Sequence, residues 1–478
     1  MPASILPLLP DMLLLALALL VLTADLWSED GAAVFHLAWA GLAAIAALIA
    51  LSPPVADVTA FAGYWASRGT QLWKLLFLLA TLGTVLLSRS YFRPGGNVRG
   101  VLAKSGAFYG LLLLCAQGMF AIVSASDLLV FYLGLELATM PLYALAAFQP
   151  RDADSAEAGS KYVLMGGFSS ALTLFGVSFL YGASGSLRFE ELALAVHSAP
   201  ADPILWGGVF FLLGGLGFKL AMAPLHMWAP DVYQGAPTPV MAFLSVASKA
   251  AAVSAVAAIF FFPLNELRPP LGAFFAGAAV LSMVLGNLGA LRQSNLRRFV
   301  AYSSVAQVGY MLLALLGDKE TARNALQYNL VAYGVTSFAL YFIMGVVGKD
   351  GPETLRGLRG LGKRSPGLAA LLLLCMFSLA GVPPLAGFLG KFLLFSAAAA
   401  EGHYALVGIA VANAVVSFYY YMLVVKEAYI AEGDAGGNLG VITLSPLQKA
   451  ALWILSALLL LLGVCPAAAD WLAARGGP

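Results

Sequence analysis

The chain has 478 residues, of which 61% are hydrophobic and only 10% are charged, and its mean hydropathy is +0.88. Soluble globular proteins carry about 25% charged residues, so this composition excludes a water-soluble enzyme. The net charge of +2 leaves no basic excess for binding nucleic acid or for holding the chain on an anionic membrane surface. We therefore expect the chain to lie within a membrane and to bind no nucleic acid.

The three cysteines, Cys115, Cys375 and Cys465, stand singly in apolar runs. They form neither a C-x-x-C pair nor an even set, which argues against a disulfide framework, a zinc site or an iron–sulfur cluster. The sequence also has no P-loop and no G-x-G-x-x-G motif opening a soluble unit. We therefore expect no cofactor and no metal in this chain.

Fourteen apolar stretches predict an all-α polytopic membrane protein, because a helix of about 20 residues crosses the hydrocarbon layer. In chain order the predicted spans are 4–27, 32–51, 70–88, 105–125, 127–148, 160–183, 202–229, 236–262, 270–290, 297–317, 322–348, 366–399, 403–430 and 447–466. The first contains Asp11 and lacks the basic leader of a signal peptide, so we expect it to be retained. The seventh and twelfth are too long and too interrupted to be single straight helices.

Lysine and arginine divide unequally between the predicted loops when the N-terminus is placed outside. Sixteen fall on the inner side: Arg89, Arg93, Arg99, Lys104, Arg151, Lys161, Arg292, Arg297, Arg298, Lys349, Arg356, Arg359, Lys363, Arg364, Lys426 and Lys449. Seven fall on the outer side: Arg68, Lys74, Arg188, Arg268, Lys319, Arg323 and Arg475. An even number of helices with both termini outside is therefore predicted.

Four ionisable residues lie within apolar spans: Glu136 in the fifth, Lys219 in the seventh, Lys249 in the eighth and Lys391 in the twelfth. Left unpaired, the four would cost on the order of 10 to 14 kcal/mol in the membrane. Such groups can take up and release protons as their neighbours change, and by default they indicate an ion pathway. The alternative is that they form charge pairs that only hold helices together.

Helix-breaking residues accompany two of the lysines. Lys219 precedes Pro224 by five residues, and Pro383 and Pro384 come shortly before Lys391. Proline leaves a backbone carbonyl unpaired, which is tolerated at membrane depth only where water or protein satisfies it. Broken helices beside titratable groups in two halves of a chain are typical of transporters with inverted repeats. The pattern predicts two inverted five-helix units, covering spans four to eight and nine to thirteen.

Polar residues spaced i, i+4 and i+7 mark one face on each of three later spans. They are Ser303, Gln307 and Tyr310 on the tenth, Asn329, Tyr333 and Thr336 on the eleventh, and Asn413, Ser417 and Tyr420 on the thirteenth. Together with Ser245 and Lys249 they predict a hydrated stripe, to which His226 is a further candidate. Hydrogen bonding between helices is the alternative explanation of these faces.

The segment GFKLAMAPLHMWAPDVYQGAPTPVMAFLSVASKAA, residues 217–251, resembles a signature of the antiporter-like membrane subunits of respiratory complex I. Within it, WAPDVYQGAP is similar to the subunit N branch of that family. The resemblance extends to RRFVAYSSVAQVGYML at residues 297–312 and to AGVPPLAGFLGKF at residues 380–392. It covers essentially the whole chain.

The resemblance implies a role for each buried charge. Glu136 corresponds to the carboxylate of the fifth helix and pairs with Lys219 of the broken seventh helix. Lys249 corresponds to the connecting lysine of the eighth helix, and Lys391 to the exit-side lysine of the broken twelfth. The implied domains are an N-terminal three-helix segment (1–104), a first repeat (105–262), a second inverted repeat (263–431) and a C-terminal helix (432–478).

The resemblance further implies a proton-translocating subunit of NADH:quinone oxidoreductase without a redox centre of its own. NADH, FMN, iron–sulfur clusters and quinone are then expected in partner subunits. The expected partners are other membrane subunits and, through them, a peripheral arm, and the expected location is the bacterial inner membrane. Two alternatives stay open: a subunit of a multisubunit sodium–proton antiporter or membrane-bound hydrogenase, and a structural subunit that transports nothing.

Overall fold

A computed structural model describes residues 6–27, 31–52, 58–61, 63–89, 91–92, 105–149, 151–348, 354–431, 440–465, 467 and 471–472. Five basic residues of the topology prediction lie outside these ranges: Arg93, Arg99, Lys104, Lys349 and Arg475. The predicted domain boundaries at 104 and 432 also lie outside them.

The described residues form helices connected by short segments, with one small hairpin. In chain order the elements are α1 (Leu9–Ala24), α2 (Ala32–Leu51), β1 (Val58–Phe61), β2 (Tyr64–Ala66), α3 (Arg68–Ser88), α4 (Ser105–Ser124), α5 (Leu128–Ala146), α6 (Ala153–Ser184), α7 (Phe189–Ser198), α8 (Pro203–Leu220), α9 (Trp228–Gly235), α10 (Thr238–Phe260), α11 (Gly272–Leu291), α12 (Leu296–Leu316), α13 (Lys319–Val347), α14 (Pro366–Ala380), α15 (Ala386–Ala400), α16 (Tyr404–Tyr429) and α17 (Pro446–Val464). A π-helical turn, Leu244–Ser248, lies within α10.

The prediction of an all-α polytopic membrane protein is confirmed. Within the described ranges, 12 helices are long and apolar enough to cross a membrane, and α1, α14 and α15 are shorter apolar helices. Each of the fourteen predicted spans coincides with helical structure. The seventh is broken into α8 and α9, and the twelfth into α14 and α15, as predicted.

The two breaks follow the same backbone course. Helix α8 ends at Leu220, where Ala221 takes the left-handed conformation with φ +57°, and α14 ends at Ala380, where Gly381 has φ +86°. A left-handed residue commonly ends a helix and leaves its last carbonyls without helical partners. Each break then contains a cis peptide bond to proline, Ala223–Pro224 and Pro383–Pro384.

The chain divides into two compact units. The first contains the described residues up to Ala221 together with Gly235–Leu271, and the second contains Met222–Gln234 and the described residues from Gly272 onward. In the first unit α4 packs along α5, and α6 along α8. In the second unit α11 packs along α12, and α13 along α15. The inverted relation between the repeats remains a prediction.

The prediction that Lys74 belongs to an outer loop is wrong. Ser67 caps α3, because its Oγ accepts the Thr70 N–H at 3.2 Å while Thr70 Oγ1 accepts the Ser67 N–H at 2.9 Å. The helix therefore begins at Arg68 and Lys74 lies almost two turns inside it, only 3% exposed. Its ammonium is bound by Asp11, which explains how the charge is tolerated there.

Glycines let α4 and α5 approach closely, which fixes the helix that carries Glu136. A Cβ on Gly118 of α4 would overlap the backbone of Ala138 in α5. Small residues have this role at many helix contacts in membranes, where packing rather than water exclusion holds helices together. The close position of α5 therefore requires glycine, which has no side chain, at residue 118.

We predict that Gly118→Ala lowers the melting temperature of the protein, because overpacking a tight contact costs about 1 to 3 kcal/mol. The matched control is Gly167→Ala in α6, where a Cβ meets nothing within 4 Å. Thermal unfolding of the two purified variants in the same detergent gives the comparison. Equal melting temperatures for both variants would contradict the close packing of α4 on α5.

Candidate functional site

A buried ion pair joins α5 and α8 in the first unit. Lys219 Nζ is 3.4 Å from Glu136 Oε1, and the two side chains are 5% and 9% exposed. At an effective dielectric constant of about 20, charges at this separation attract each other by about 5 kcal/mol. The pair predicted from the family resemblance is thus present in the structure.

Two hydroxyl groups complete the surroundings of this pair. Ser170 Oγ of α6 donates to Glu136 Oε1 at 2.6 Å, and Lys219 Nζ donates to Thr139 Oγ1 of α5 at 3.1 Å. Helices α6 and α8 are also joined where Ser169 Oγ donates to the carbonyl of Gly215, one turn before the lysine. Ser170 and Thr139 were not predicted, although Thr139 lies one helical turn from Glu136 on the same face.

Lys249 lies close to the end of α8. Its ammonium is 3.5 Å from the carbonyl oxygen of Leu220, the last residue of that helix, and the residue is 3% exposed. Lys249 directly follows the π-helical turn of α10, which includes the buried Ser245. Such turns are frequent at functional sites because they redirect the side chains that follow.

Lys391 is held in a corresponding way in the second unit. Its ammonium donates to the carbonyls of Leu379 and Ala380, the last residues of α14, at 2.7 and 3.2 Å. The Tyr310 ring lies beneath the ammonium, with its centroid 4.5 Å away. Gln307 Nε2 donates to the same Leu379 carbonyl at 3.2 Å.

The two units therefore share one electrostatic arrangement. In each, a lysine ammonium from another helix faces the carbonyls at the C-terminus of a half-helix, where the helix dipole places partial negative charge. Lys249 does this for α8 and Lys391 for α14. Lys219 differs, because it belongs to the half-helix before its break whereas Lys391 belongs to the one after.

The predicted polar faces of the second unit make specific contacts. Gln307 and Tyr310 both lie at Lys391, as described above. Ser303 Oγ and Tyr421 Oη are 2.6 Å apart. Asn413 accepts from Asn287 Nδ2 at 3.1 Å through both its carbonyl and its amide oxygen. Asn287 and Tyr421 were not predicted, since Asn287 stands singly in an apolar run and Tyr421 lies outside the i, i+4, i+7 face that contains its neighbour Tyr420.

The remaining predicted residues are buried. Tyr333 lies on α13 and is 7% exposed. His226 lies in the break after α8, 8% exposed, with its ring centroid 6.4 Å from that of Tyr302. Among the described residues its Nδ1 has no hydrogen-bond partner.

Two of the motif segments meet in the second unit. Arg298 Nη1 donates to Asp231 Oδ1 of WAPDVYQGAP at 2.7 Å and to Gln234 Oε1 at 3.0 Å. The neighbouring Arg297 Nη1 donates to the Gln234 carbonyl at 2.9 Å. These contacts fasten α9, the short helix after the first break, to the beginning of α12.

The arrangement suits proton exchange better than bond-making chemistry. Buried amines and carboxylates with hydroxyl neighbours can pass protons when their separation changes. The described residues contain no group of three or more His, Cys, Asp and Glu side chains that could hold a metal ion.

Comparison with known proteins gives consistent matches. Residues 125–417 match the family described as NADH:quinone oxidoreductase/Mrp antiporter, TM. The chain is 39% identical to NADH-quinone oxidoreductase subunit N of Moorella thermoacetica, over 95% of this chain and 93% of that protein. It is 40% identical to subunit N of Desulfovibrio desulfuricans, over 91% of this chain and 90% of that protein.

Solved structures have the same fold. A chain of respiratory complex I from Thermus thermophilus with bound aureothin is 34% identical, with a TM-score of 0.80 over 97% of this chain and 100% of that chain. A chain of the Mrp complex from Dietzia sp. DQ12-45-1b is 22% identical, with a TM-score of 0.82 over 99% of this chain and 96% of that chain. At that identity the second match indicates the fold alone.

We predict that Tyr310→Leu lowers thermal stability and that Tyr310→Phe does not. Leucine removes the ring beneath Lys391, and a desolvated cation–π contact contributes about 2 kcal/mol. Phenylalanine keeps the ring, and the Tyr310 hydroxyl that it removes has no hydrogen-bond partner among the described residues. Thermal unfolding of both variants distinguishes them, and equal losses would contradict a role for the ring.

Proposed function

The chain belongs to the NADH:quinone oxidoreductase/Mrp antiporter membrane family and, within it, to subunit N of NADH-quinone oxidoreductase, and on that premise we propose that its buried glutamate and lysines carry protons across the membrane. The observation that carries the proposal is the Glu136–Lys219 ion pair, which joins two opposite charges at membrane depth. Its attraction of about 5 kcal/mol is larger than the roughly 2.3 kcal/mol needed to move one charge against 100 mV.

The mechanism depends on opening and closing this pair. While Glu136 lies beside Lys219, the carboxylate favours the charged ammonium. When the two separate, the ammonium loses this stabilisation and releases its proton more readily. After the separation Lys219 can keep its hydrogen bond to Thr139, and Glu136 can keep its hydrogen bond from Ser170, so each buried group retains a polar partner.

Lys249 and Lys391 serve as later positions on the pathway. The order Glu136, Lys219, Lys249, Lys391 is taken from the family resemblance. The contacts of Lys249 and Lys391 with helix-end carbonyls support such a role, because the partial negative charge at a helix C-terminus stabilises the ammonium.

The residues proposed to line the pathway are the buried polar groups near these lysines. Gln307 is supported most directly, since its amide and Lys391 bind the same carbonyl. Ser245 precedes Lys249 by one turn of α10. Ser303, Tyr333 and His226 are proposed on their burial and their place in the sequence pattern. Asn413, which is only partly buried, is proposed on its hydrogen bonds with Asn287 and its place in that pattern.

The energy for translocation comes, in this proposal, from redox chemistry in partner subunits. The chain itself then holds no redox centre, and NADH, FMN, iron–sulfur clusters and quinone belong to the partners. Its neighbours are other membrane subunits, through which it is coupled to the peripheral arm. We place it in the bacterial inner membrane with both termini on the outer side, as the distribution of basic residues indicates.

We predict that Glu136→Gln and Lys219→Met each lower the number of protons translocated per electron, because the loss of an acid–base group slows proton transfer through this chain by about tenfold or more. The measurement is the number of protons translocated per electron by the whole complex in proteoliposomes. The matched control is Glu266→Gln, a carboxylate whose side chain is 54% exposed and which binds His197. A normal proton-to-electron ratio in Glu136→Gln would contradict the proposal.

A further inference from the structure

A second buried acid–lysine pair lies in the first unit, on helices other than those that carry Glu136 and Lys219. Asp11 of α1 and Lys74 of α3 are 8% and 3% exposed, and Lys74 Nζ is 2.8 Å from Asp11 Oδ2. Tyr64 of β2 completes the cluster. Its hydroxyl donates to Asp11 Oδ2 at 2.8 Å and accepts from Lys74 Nζ at 2.5 Å.

This cluster has the same composition as the Glu136–Lys219 site. Each site joins a carboxylate on one membrane span to a lysine two spans later in the chain. In the Asp11–Lys74 cluster one hydroxyl binds both charges, whereas at the Glu136–Lys219 site each charge binds a hydroxyl of its own. The Asp11–Lys74 pair is the closer, at 2.8 Å against 3.4 Å. The first unit therefore contains two acid–lysine pairs of the same construction.

Within the described part of the chain, two aromatic rings lie close to the Lys74 ammonium in addition to Asp11. Its ammonium lies over the rings of Tyr64, at 4.8 Å, and of Phe120 on α4, at 5.2 Å. The buried Ser124 also belongs to α4. Helix α3 packs against α10, which carries Lys249. Burial and the adjacent Asp11 carboxylate raise the pKa of the Tyr64 phenol above its usual range, so the phenol keeps its proton.

A purely structural pair is a costly way to join two helices. Desolvating each ion costs several kcal/mol, and well-packed apolar side chains of similar volume often stabilise a protein as well or better. The pair also lies near the membrane face at which α1 and α3 begin. Asp11 is the third residue of α1, and Lys74 the seventh of α3, so both are within roughly 10 Å of a helix end.

We propose that Asp11, Lys74 and Tyr64 form a second proton-exchange site, which releases a proton at the membrane face where α1 and α3 begin and takes up the next one from within the first unit. The Lys74 ammonium passes a proton to the Tyr64 oxygen while the phenol passes its own to Asp11. This leaves a neutral amine, an intact phenol and a neutral carboxylic acid. The acid then releases its proton to water, and the amine takes up another to restore the pair.

The test uses the whole complex in proteoliposomes and the double variant Asp11→Asn/Lys74→Met. Removing both charges leaves no unpaired ion, so we expect assembly and quinone reduction within about twofold of the wild type. Protons translocated per electron fall by at least about threefold, and the pH dependence of that ratio changes. An unchanged ratio and pH profile in the assembled variant would overturn the proposal and leave the pair a structural contact.

The matched control is Arg359→Gln/Glu427→Gln, which removes another ion pair, with Nε and Oε2 2.8 Å apart. The ratio is expected to stay at the wild-type value in this control. An equal decline in both double variants would overturn the proposal, because the effect would then follow from removing any ion pair.

If the double variant does not assemble, Tyr64→Phe provides the decision, since it keeps both charges. Infrared difference spectra of the wild-type complex after a pH step should contain a protonated-carboxyl band that shifts in Tyr64→Phe. Absence of a band that responds to Tyr64→Phe would overturn the proposal.

The inference rests on the proposed function for its pumping readout. A normal ratio in Glu136→Gln rejects the proposed function, whereas a normal ratio confined to Asp11→Asn/Lys74→Met rejects only this inference.

Discussion

A charge at membrane depth must find a partner within the protein, and this requirement determines where the helices of this chain end and which side chains meet. The chain satisfies it in two ways. Glu136 and Lys219, and likewise Asp11 and Lys74, neutralise each other at 3.4 and 2.8 Å. Lys249, in contrast, faces the carbonyl at the end of a half-helix. The second arrangement requires a helix that stops inside the membrane, so the breaks and the lysines depend on each other.

The breaks therefore have a function in the fold that their proline content alone does not explain. Proline interrupts the hydrogen bonding of a helix, and the carbonyls left unpaired at a break are costly unless a donor reaches them. At the end of α14 the donors are Lys391 and Gln307, which share the carbonyl of Leu379. Loss of the lysine would leave carbonyls exposed, and loss of the break would leave the lysine without its acceptors.

Much of the fold could be predicted from the sequence because membrane helices need long apolar runs, and all fourteen runs are helical. The positions of both breaks followed from proline. The hairpin β1–β2 and helix α7 were missed, since strands of three or four residues and a ten-residue surface helix give no comparable signal. The extension of α6 to Ala153 was also missed, because its first turns are polar and begin at a cap formed by Asp152.

The candidate site was less predictable than the fold. Ionisable residues inside apolar spans stood out, and Glu136 with Lys219 followed from the family resemblance. Lys74 was misassigned to a loop. Near the start of a helix a lysine can lie either within the membrane or in the loop before it, and only the contact with Asp11 shows which applies. The contact of Lys249 with Leu220 joins a side chain to a backbone carbonyl 29 residues away, and no residue pattern records such a contact.

Glu136 and Lys219 are proposed to act as one unit in proton transfer, and a double-variant cycle measures whether they do. Proton-to-electron ratios are measured for Glu136→Gln, Lys219→Met and the two combined, in the same reconstituted complex. If the pair acts as a unit, the combined variant loses no more than the more impaired single variant, because one change already abolishes the interaction. Losses that multiply in the combined variant would contradict the claim and show that the two residues act independently.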